Sequence, residues 1–327
     1  MRSIDLIDAK ILRSLLADGR KSFADLAEDC GVPKRIAWKR FNSLSRSGVI
    51  AGYTIQVDQR YLGLQAQGST ILAFIRSNQV DQTVERIRGS QHLLAYRIYN
   101  TTYNLRVVVF PKSLAELDQI KEEIRQQYPV LVMRTFIWTD NLNIPEHLTM
   151  GFPLPPDLKN IEYSADAKNG GAEIEPLDEL DLSIVQELTE DSRISFRKLS
   201  ARLNISTLTA ERRYERLRAN HVLKPVARVD LAKLGYTAIV DFNVEYDSEK
   251  EQKRGIHTLA TIPDVTCIIK TTGDFDLQVT VMLRGLEHLL QVQEQIEQTP
   301  CIGRVEAPTR KAFVWPGKQQ SLSTIRL

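Results

Sequence analysis

The sequence predicts an α+β fold in which one two-part unit occurs twice, and three observations support this expectation. The segment IDAKILRSLLADGRKSFADLAEDCGV, which begins at Ile7, returns 173 residues later as LDLSIVQELTEDSRISFRKLSARLNI, which begins at Leu180. Each copy is followed by strand-like and helical segments in the order βαββαβ. A segment rich in proline and glycine separates the two units. Because the repeat is too long for a solenoid, it indicates that a whole unit was duplicated.

Three short helices are expected at the start of each unit. In the first unit, apolar residues recur at helical spacing at Ile4, Ile7, Ile11 and Leu15. Ser22 is suited to cap the second helix, with Asp25 three residues later, and Gly31 is suited to the left-handed conformation that ends it. Asn204 replaces Gly31 in the second unit, and asparagine tolerates the same conformation. The third helices are expected at about 34–46 and 207–218.

The segments VIAGYTIQVD and Val222–Val229, which follow the third helices, are expected to form short hairpins or wings. Helix, helix, turn, helix and wing is the winged helix-turn-helix (HTH) pattern. A generic three-helix bundle is the alternative, and local charge argues against it. Residues 33–46 contain no acid but five basic residues, at Lys34, Arg35, Lys39, Arg40 and Arg46. Residues 206–218 contain four arginines against two glutamates. We therefore expect the third helices to bind double-stranded DNA.

The expected DNA contacts lie mainly at the start of each third helix, which enters the major groove in HTH proteins. The candidates are Lys34, Arg35, Trp38, Lys39 and Arg40 in the first unit and Thr207, Thr209, Arg212 and Arg213 in the second. Arg40 and Arg213 occupy matched positions and serve either phosphate contact or helix anchoring. Trp38 is either a core residue or a DNA contact. The third helix of the first unit is more basic than that of the second unit, so it is expected to supply more of the non-specific affinity for DNA.

The βαββαβ segments predict two ferredoxin-like domains, each with one antiparallel sheet and two helices on one face. The other sheet face remains apolar in places and needs a cover, which another copy of the sheet would supply, within the chain or in a dimer. The expected domains are a winged HTH at 1–52, a ferredoxin-like domain at 53–150, a linker at 151–176, a second winged HTH at 177–224 and a second ferredoxin-like domain at 225–327.

The bulk composition is that of a globular protein without membrane or secretory segments. The net charge is +2, so local rather than overall charge has to explain any DNA binding. There is no apolar run near the length of a membrane span and no secretory signal at the N-terminus. Three scattered cysteines fit a reducing compartment. The sequence predicts a cytoplasmic protein with no membrane contact, no metal and no cofactor.

The repeated N-terminal pattern resembles the Lrp/AsnC (feast/famine) family of transcription regulators. In the second unit the pattern is carried by Asp181, Ile184, Leu188, Asp191, Arg193, Ser195, Leu199, Ser206, Arg213 and Leu217. The resemblance covers nearly the whole chain, twice, whereas ordinary members have one unit. It implies a DNA-binding regulator with ferredoxin-like sensing domains that form homo-oligomers and bind a small molecule, commonly an amino acid. A fused pair with two non-identical modules implies an asymmetric operator.

The resemblance also implies an effector site in the second unit, in the loop within KTTGDFDLQV. The candidates are Thr271, Gly273, Asp274 and Asp276. An acid there is suited to a ligand ammonium group, and loop N–H groups to its carboxylate. A polar hairpin turn is the alternative. The first unit has Thr101, Thr102 and Asn104 in place of the glycine and both acids, so one effector site per chain is expected.

Two other classes compete with a ligand-responsive regulator. The siroheme decarboxylases resemble the same family and join two related units. The five histidines are scattered without metal-ligand spacing, and no nucleophile, phosphate or dinucleotide motif occurs, so the sequence predicts that the chain is not an enzyme. A DNA-architectural protein that binds without a ligand is the second competitor, and the sequence leaves it open.

Overall fold

The computed structural model describes residues 4–58, 61, 68–89, 94–111, 113–155, 158, 177–248, 252–312 and 314–316. The helices are α1 (Leu6–Ala17), α2 (Phe23–Cys30), α3 (Lys34–Arg46), α4 (Val80–Gly89), α5 (Leu114–Gln127), α6 (Glu179–Glu190), α7 (Phe196–Leu203), α8 (Thr207–Ala219), α9 (Gln252–Thr261) and α10 (Leu286–Glu297). The strands are β1 (Ile50–Val57), β2 (Gly68–Ile75), β3 (Leu94–Arg97), β4 (Leu105–Val109), β5 (Val130–Asn143), β6 (Leu223–Asp230), β7 (Ala238–Tyr246), β8 (Val265–Thr272), β9 (Leu277–Leu283), β10 (Ile302–Glu306), β11 (Thr309–Lys311) and β12 (Val314–Trp315). The predicted α+β fold of duplicated HTH and ferredoxin-like domains is confirmed.

The second helix of each HTH module ends at the residue that the sequence indicates. Ser22 caps α2 and forms a capping box with Asp25, because each side chain accepts the other's backbone N–H. Gly31 ends α2 with φ 66°, and Asn204 ends α7 with φ 52°. Both residues adopt the left-handed conformation, so the tight turn before the third helix is the same in the two modules.

The wings differ from the expected hairpins, because each wing strand pairs with the wing of the other unit. β1 runs antiparallel to β6 with Thr54 opposite Val226, and β12 joins the free edge of β6. We call β1, β6 and β12 the wing sheet. The predicted domain boundaries at 52/53 and 224/225 fall inside β1 and β6, because these strands continue through the pairing between units.

The wing strands cross between the cores of the two HTH modules. Val229 of β6 packs in the core of α1–α3, whereas Ile55 of β1 packs in the core of α6–α8. The crossing requires a close approach at Gly19, whose N–H donates to the carbonyl of Pro225 at 2.8 Å. A Cβ at Gly19 would lie 2.8 Å from the backbone carbon of Val226, so glycine is needed there.

The two ferredoxin-like domains join edge to edge into one sheet, with strand order β10-β7-β9-β8-β5-β2-β4-β3 and β11 beside β7. We call it the central sheet. The junction is the pairing of β8 with the second half of β5, which continues to Asn143, beyond the segment VLVMRTFIW that was expected as the strand. Edge pairing extends a sheet and covers no face. The open faces of the two units instead meet in the interior, where Arg106 of the first unit pairs with Asp241 of the second, so each open face is covered within the chain. An antiparallel bridge between Tyr99 and Thr309 also brings the two ends of the central sheet together.

Alternate residues of the central sheet face the helices and the enclosed interior. Val107 and Phe242 pack in the cores formed with the helices, while Arg106 and Asp241, next to them in sequence, line an interior cavity. The segment IGRVEAPTRKAF, expected from its sequence to be the last strand, is split into β10 and β11 at residues 307–308, because Pro308 lacks the N–H that a continuous ladder needs. The split places Arg310 of β11 at the same cavity.

Most of the predicted linker, 151–176, lies outside the described residues. Its described start is anchored to the first HTH module, because buried Arg13 donates to the carbonyl oxygen atoms of Leu148 at 3.0 Å, Thr149 at 2.7 Å and Phe152 at 2.8 Å. Within the described ranges, no helix has the length and apolar character needed to span a membrane.

Candidate nucleic-acid interface and ligand cavity

The start of α3 presents a basic surface to solvent. Lys34, Arg35, Trp38 and Lys39 are all exposed. Trp38 is 52% exposed, so this side chain is available for contact with another molecule and does not belong to the core. No acid lies on this helix, and the surface therefore has the charge that phosphate groups attract.

The start of α8 is also exposed but carries different chemistry. Thr207 and Arg212 are exposed, whereas Thr209 is half-buried and its hydroxyl lies 2.8 Å from that of Ser206. At the positions that match Arg35 and Trp38, the second helix has Leu208 and Glu211. The two helices therefore present unlike surfaces, one with three cations and a tryptophan and the other with one cation and one acid.

The matched arginines Arg40 and Arg213 have the geometry of helix anchoring. Arg40 Nη1 lies 2.6 Å from Asp5 and 3.4 Å from Asp8, both at the start of α1. Arg213 pairs with Asp178 and lies 3.0 Å from Asp181, at the start of α6. The hydrogen bonds that Arg213 donates to these carboxylates raise the pKa of its guanidinium group.

Two further arginines of α8 are also engaged within the chain. Arg216 pairs with Asp181, and Arg218 lies 2.5 Å from Asp18 of the first module. The positive charge of α8 is therefore largely matched by carboxylates, whereas the basic residues at the start of α3 face solvent.

A reciprocal pair of arginines holds the two HTH modules together. Arg20 Nη1 donates to the carbonyl groups of Ser192 at 2.7 Å and Ile194 at 3.1 Å, and its guanidinium lies 4.6 Å from the ring centre of Phe196. Arg193, the equivalent residue of the second unit, donates to the carbonyl of Lys21 at 3.0 Å. The same contact made in both directions relates the modules as in a symmetric dimer and fixes the third helices relative to each other.

Replacement of Arg20 with Met is expected to lower the free energy of unfolding by about 1.5–3 kcal/mol, the usual contribution of hydrogen bonds to a charged group. Methionine retains the apolar stem but leaves the carbonyl groups of Ser192 and Ile194 without their donor. Urea denaturation would measure the loss. The matched control is Arg197→Met, since Arg197 is exposed. Equal effects of the two changes would contradict a role for Arg20 in joining the modules.

The predicted effector residues form a tight turn at the junction of the two sensing domains. The Thr271 hydroxyl donates to the carbonyl of Phe275 at 2.6 Å, and the Asp276 carboxylate accepts the N–H of Tyr246 at 2.7 Å. Asp274 lies 3.5 Å from Arg134 of the first unit, and both side chains are more than half exposed. Gly273 has φ 129° and lies beside Phe136 of the first unit. The structure therefore places these four residues in one loop, with Asp276 already bound to the backbone.

A cavity of about 110 Å³ lies between the central sheet and the wing sheet. Its charged lining residues are Arg106, Asp241 and Arg310, which are 4%, 1% and 8% exposed. Asp241 pairs with Arg106 and accepts from Arg310 Nε at 2.9 Å and from the Thr280 hydroxyl at 2.8 Å. Arg106 comes from the first unit and the others from the second, so the cluster joins the two sensing domains.

The electrostatics of this cluster favour ionised side chains. Burial raises the pKa of Asp241, but the neighbouring Arg106 and Arg310 outweigh that effect and hold the pKa well below its usual value. Burial lowers the pKa of the Arg106 guanidinium, which still remains charged because arginine does not lose its proton in proteins. The cluster therefore carries two positive charges and one negative charge.

The sequence contains a signal for this cavity that belongs to no known motif. Arg106 interrupts the apolar strand LRVVVF, and Asp241 interrupts AIVDFNV. A charged residue in the middle of a buried strand needs a partner of opposite charge or a hydrogen-bonding partner. Such a residue therefore indicates a buried polar site. No cluster of three or more His, Cys, Asp or Glu side chains with the arrangement of a metal site occurs among the residues that the structure describes.

Comparison with known families supports the assignment of both the HTH domains and the ligand binding domain. A model of the AsnC-type helix-turn-helix domain matches residues 4–45 and 177–218, and a model of the Lrp/AsnC ligand binding domain matches residues 237–308. An uncharacterized HTH-type transcriptional regulator of Pyrococcus furiosus is 31% identical over 116 residues, which are 35% of this chain and 76% of the relative. The HTH-type transcriptional regulator Ptr1 of Methanocaldococcus jannaschii is 26% identical over 144 residues, 41% of this chain and 94% of the relative. Each relative thus corresponds in length to one unit.

Comparison with solved structures corrects one expectation. The crystal structure of the siroheme decarboxylase NirDL has a TM-score of 0.62 and 15% identity to this chain, and the match covers 96% of both chains. The sequence-based exclusion of an enzyme was therefore wrong, because an enzyme has the same arrangement of two units over the whole length. At this identity the likeness shows a shared fold.

Proposed function

Because this chain belongs to the Lrp/AsnC family of transcription regulators, we propose that its two HTH modules bind one DNA duplex through the first turns of α3 and α8. Lys34, Arg35, Trp38 and Lys39 contact the half-site of the first module. Thr207, Thr209 and Arg212 contact the other half-site. Arg40 and Arg213 position the helices through their ion pairs.

One observation carries this proposal. The exposed basic start of α3 belongs to an HTH module that is held against the second HTH module of the chain. The reciprocal contacts of Arg20 and Arg193 keep both third helices in one rigid pair. A rigid pair of recognition helices suits two half-sites at a fixed spacing. Since the two surfaces differ at matched positions such as Arg35/Leu208 and Trp38/Glu211, the operator is asymmetric, with the larger phosphate contribution from the first module.

The sensing domains are proposed to respond to a small molecule and to assemble the chain into homo-oligomers. The predicted effector loop, with Thr271, Gly273, Asp274 and Asp276, lies within the matched ligand binding domain. An amino acid is the proposed effector of this loop, with Asp274 as the acid for its ammonium group. Arg134 of the first unit makes the loop a site shared by both units.

The test is selection of bound sequences from a random duplex library with the full chain. The expected result is enrichment of one motif whose two halves differ. A variant with Lys34, Arg35 and Lys39 changed to alanine is expected to lose the half read by the first module. Equal affinity for all sequences would overturn specific regulation and support an architectural protein. A perfect palindrome would contradict the assigned asymmetry.

A second candidate function is favoured by the shared architecture alone. The solved siroheme decarboxylase binds an iron-uroporphyrin III analogue, as its second structure shows, and that match also covers 96% of this chain. If this chain had the same activity, siroheme incubated with the purified protein would lose the mass of carbon dioxide. Unchanged siroheme would remove this candidate.

A further inference from the structure

The cavity between the central sheet and the wing sheet has a surplus positive charge. Among the residues that the structure describes, its charged lining residues are Arg106, Asp241 and Arg310, two guanidinium groups against one carboxylate. All three are more than nine-tenths buried. A buried charge without a counter-ion is unfavourable, so one more negative charge beside the cluster would be stabilising.

Arg106 has a donor that the protein does not use. Its Nη2 donates to Gln278 at 2.5 Å, and its Nη1 pairs with Asp241. The buried Nε–H has no hydrogen-bond acceptor among the described residues. A buried N–H group is normally satisfied, so this group indicates the place of an external acceptor.

The remaining wall of the cavity has an apolar part and a polar part. The apolar part includes Leu94, Val108, Phe110, Ile269 and Trp315, and the polar part is formed by Gln56, Tyr96, Asn141, Asn143 and Thr280. Asp241, the one carboxylate among the described residues of the wall, is already engaged by two arginines and Thr280. No acid of the described wall is therefore left for a ligand ammonium group, and the apolar part suits a hydrocarbon group.

We propose that this cavity binds a small apolar monocarboxylate, with its carboxylate against Arg106 and its hydrocarbon part against the apolar wall. The ligand lacks an ammonium group, which distinguishes this site from the amino-acid loop at Gly273–Asp276. The charge-assisted bond to Arg106 supplies orientation, and burial of the hydrocarbon supplies affinity.

The cavity is also placed to affect the HTH modules. Ile55, Gln56 and Val57 of β1 and Trp315 of β12 belong to its wall and to the wing sheet. Ile55 packs in the core of the second HTH module and Trp315 in that of the first. A ligand here therefore contacts both modules through single side chains. This coupling rests on the proposed DNA-binding function, whereas the binding site itself does not.

The test is calorimetric titration of the full chain with benzoate and 3-methylbutanoate, with benzamide, 3-methylbutanamide, phenylalanine and leucine as matched probes. At least one carboxylate is expected to bind about tenfold or more tightly than its neutral amide, since a hydrogen bond to a charged group supplies that difference. Binding of the amide as tightly as the acid would overturn the role of Arg106. Binding of the amino acids as tightly as the acids would overturn the monocarboxylate class, and so would binding of inorganic phosphate. No binding by either carboxylate would overturn the site.

Two variants locate the site. Arg106→Met is expected to abolish the preference for acid over amide, and Val108→Phe is expected to block binding by filling the cavity while Arg106 stays intact. The control is Arg125→Met, because Arg125 is an exposed arginine on α5 of the same domain. Unchanged binding in Val108→Phe would place the ligand elsewhere, even if the Arg106 variant failed to fold.

The coupling is tested separately by DNA titration with and without benzoate or 3-methylbutanoate. A change in DNA affinity that disappears in Val108→Phe supports the coupling. If a carboxylate binds but the affinity for DNA does not change, the coupling is overturned and the proposed binding site still stands. Absence of any DNA binding would instead count against the proposed regulator, because the calorimetric result does not depend on DNA.

Discussion

Replacement of Asp241 with Asn is expected to lower the free energy of unfolding by about 3–5 kcal/mol, the range for breaking a buried ion pair by removal of one partner. Asp241 is the carboxylate that two buried guanidinium groups share. Asparagine keeps the size of the side chain but leaves Arg106 and Arg310 as neighbouring buried cations. Their repulsion and their lost solvation are both unfavourable.

The matched comparison is Arg106→Met in the same cluster. That change leaves one cation and one anion, Arg310 and Asp241, which retain their contact at 2.9 Å. Its cost is therefore expected to be well below that of Asp241→Asn. Chemical denaturation of both variants measures the difference. An Arg106→Met variant that is as unstable as Asp241→Asn would contradict the charge imbalance.

The pH dependence of unfolding gives a second readout of Asp241. Its pKa is lowered in the folded chain from the ordinary 3.8. The stabilisation is therefore fully present above the unfolded value and is lost as the pH falls from 3.8 towards the lowered folded value, because the unfolded chain binds a proton first. Asp241→Asn is expected to unfold with a smaller pH slope in that acidic range. An identical slope would indicate that Asp241 is not ionised in the fold.

The double change Arg35→Ala, Lys39→Ala is expected to weaken DNA binding and to lower the slope of log affinity against log salt by up to about 2, since each phosphate contact contributes about 0.9. Both side chains are exposed on the first two turns of α3, and the helix contains no acid. The loss of affinity is expected to be largest at low salt, where phosphate contacts contribute most. Fluorescence anisotropy over a range of salt concentrations measures both quantities.

The matched double change in the second module is Leu208→Ala, Arg212→Ala. These residues occupy the same two positions of α8, but only one of them is charged. A decrease in slope of about 1 is expected from the single cation. Equal slope changes in the two modules would contradict the assignment of the larger phosphate contribution to α3. An unchanged slope in the first double variant would remove α3 from the interface.

The sequence predicted the HTH modules well because their signals are local. Ser22 and Asp25 satisfy backbone groups within one turn of helix, and Gly31 and Asn204 supply a conformation that few other residues adopt. The third helix of the first module was expected at 34–46, and α3 spans Lys34–Arg46. The βαββαβ order was also readable, because strand alternation and helix spacing are properties of short segments.

The sequence did not predict how the two units join. The segments after the third helices were expected to be short hairpins or wings, and their sequences did not indicate that β1 pairs with β6 of the other unit. The second half of β5 was missed, because the segment TDNLN has little strand propensity and becomes a strand only by pairing with β8. Strand pairing depends on residues far apart in the chain, so it is set by tertiary packing.

The candidate sites show the same contrast between local sequence signals and contacts made far along the chain. The basic residues at the start of α3 were visible in the sequence, because a helix that has cations and no acid predicts a negatively charged partner. For Arg213 the sequence left phosphate contact and helix anchoring open, and the structure shows ion pairs that anchor the helix. The engagement of Arg216 and Arg218 by carboxylates was not visible, since those partners lie on α6 and in the first module.

The sequence by itself determined the repeated unit, its helices and its family, because capping, periodicity and turn chemistry act over a few residues. Tertiary structure alone decided that Arg106, Asp241 and Arg310 meet in one cavity. These three residues lie on strands from both units, and only the joined central sheet brings their side chains to the same interior face.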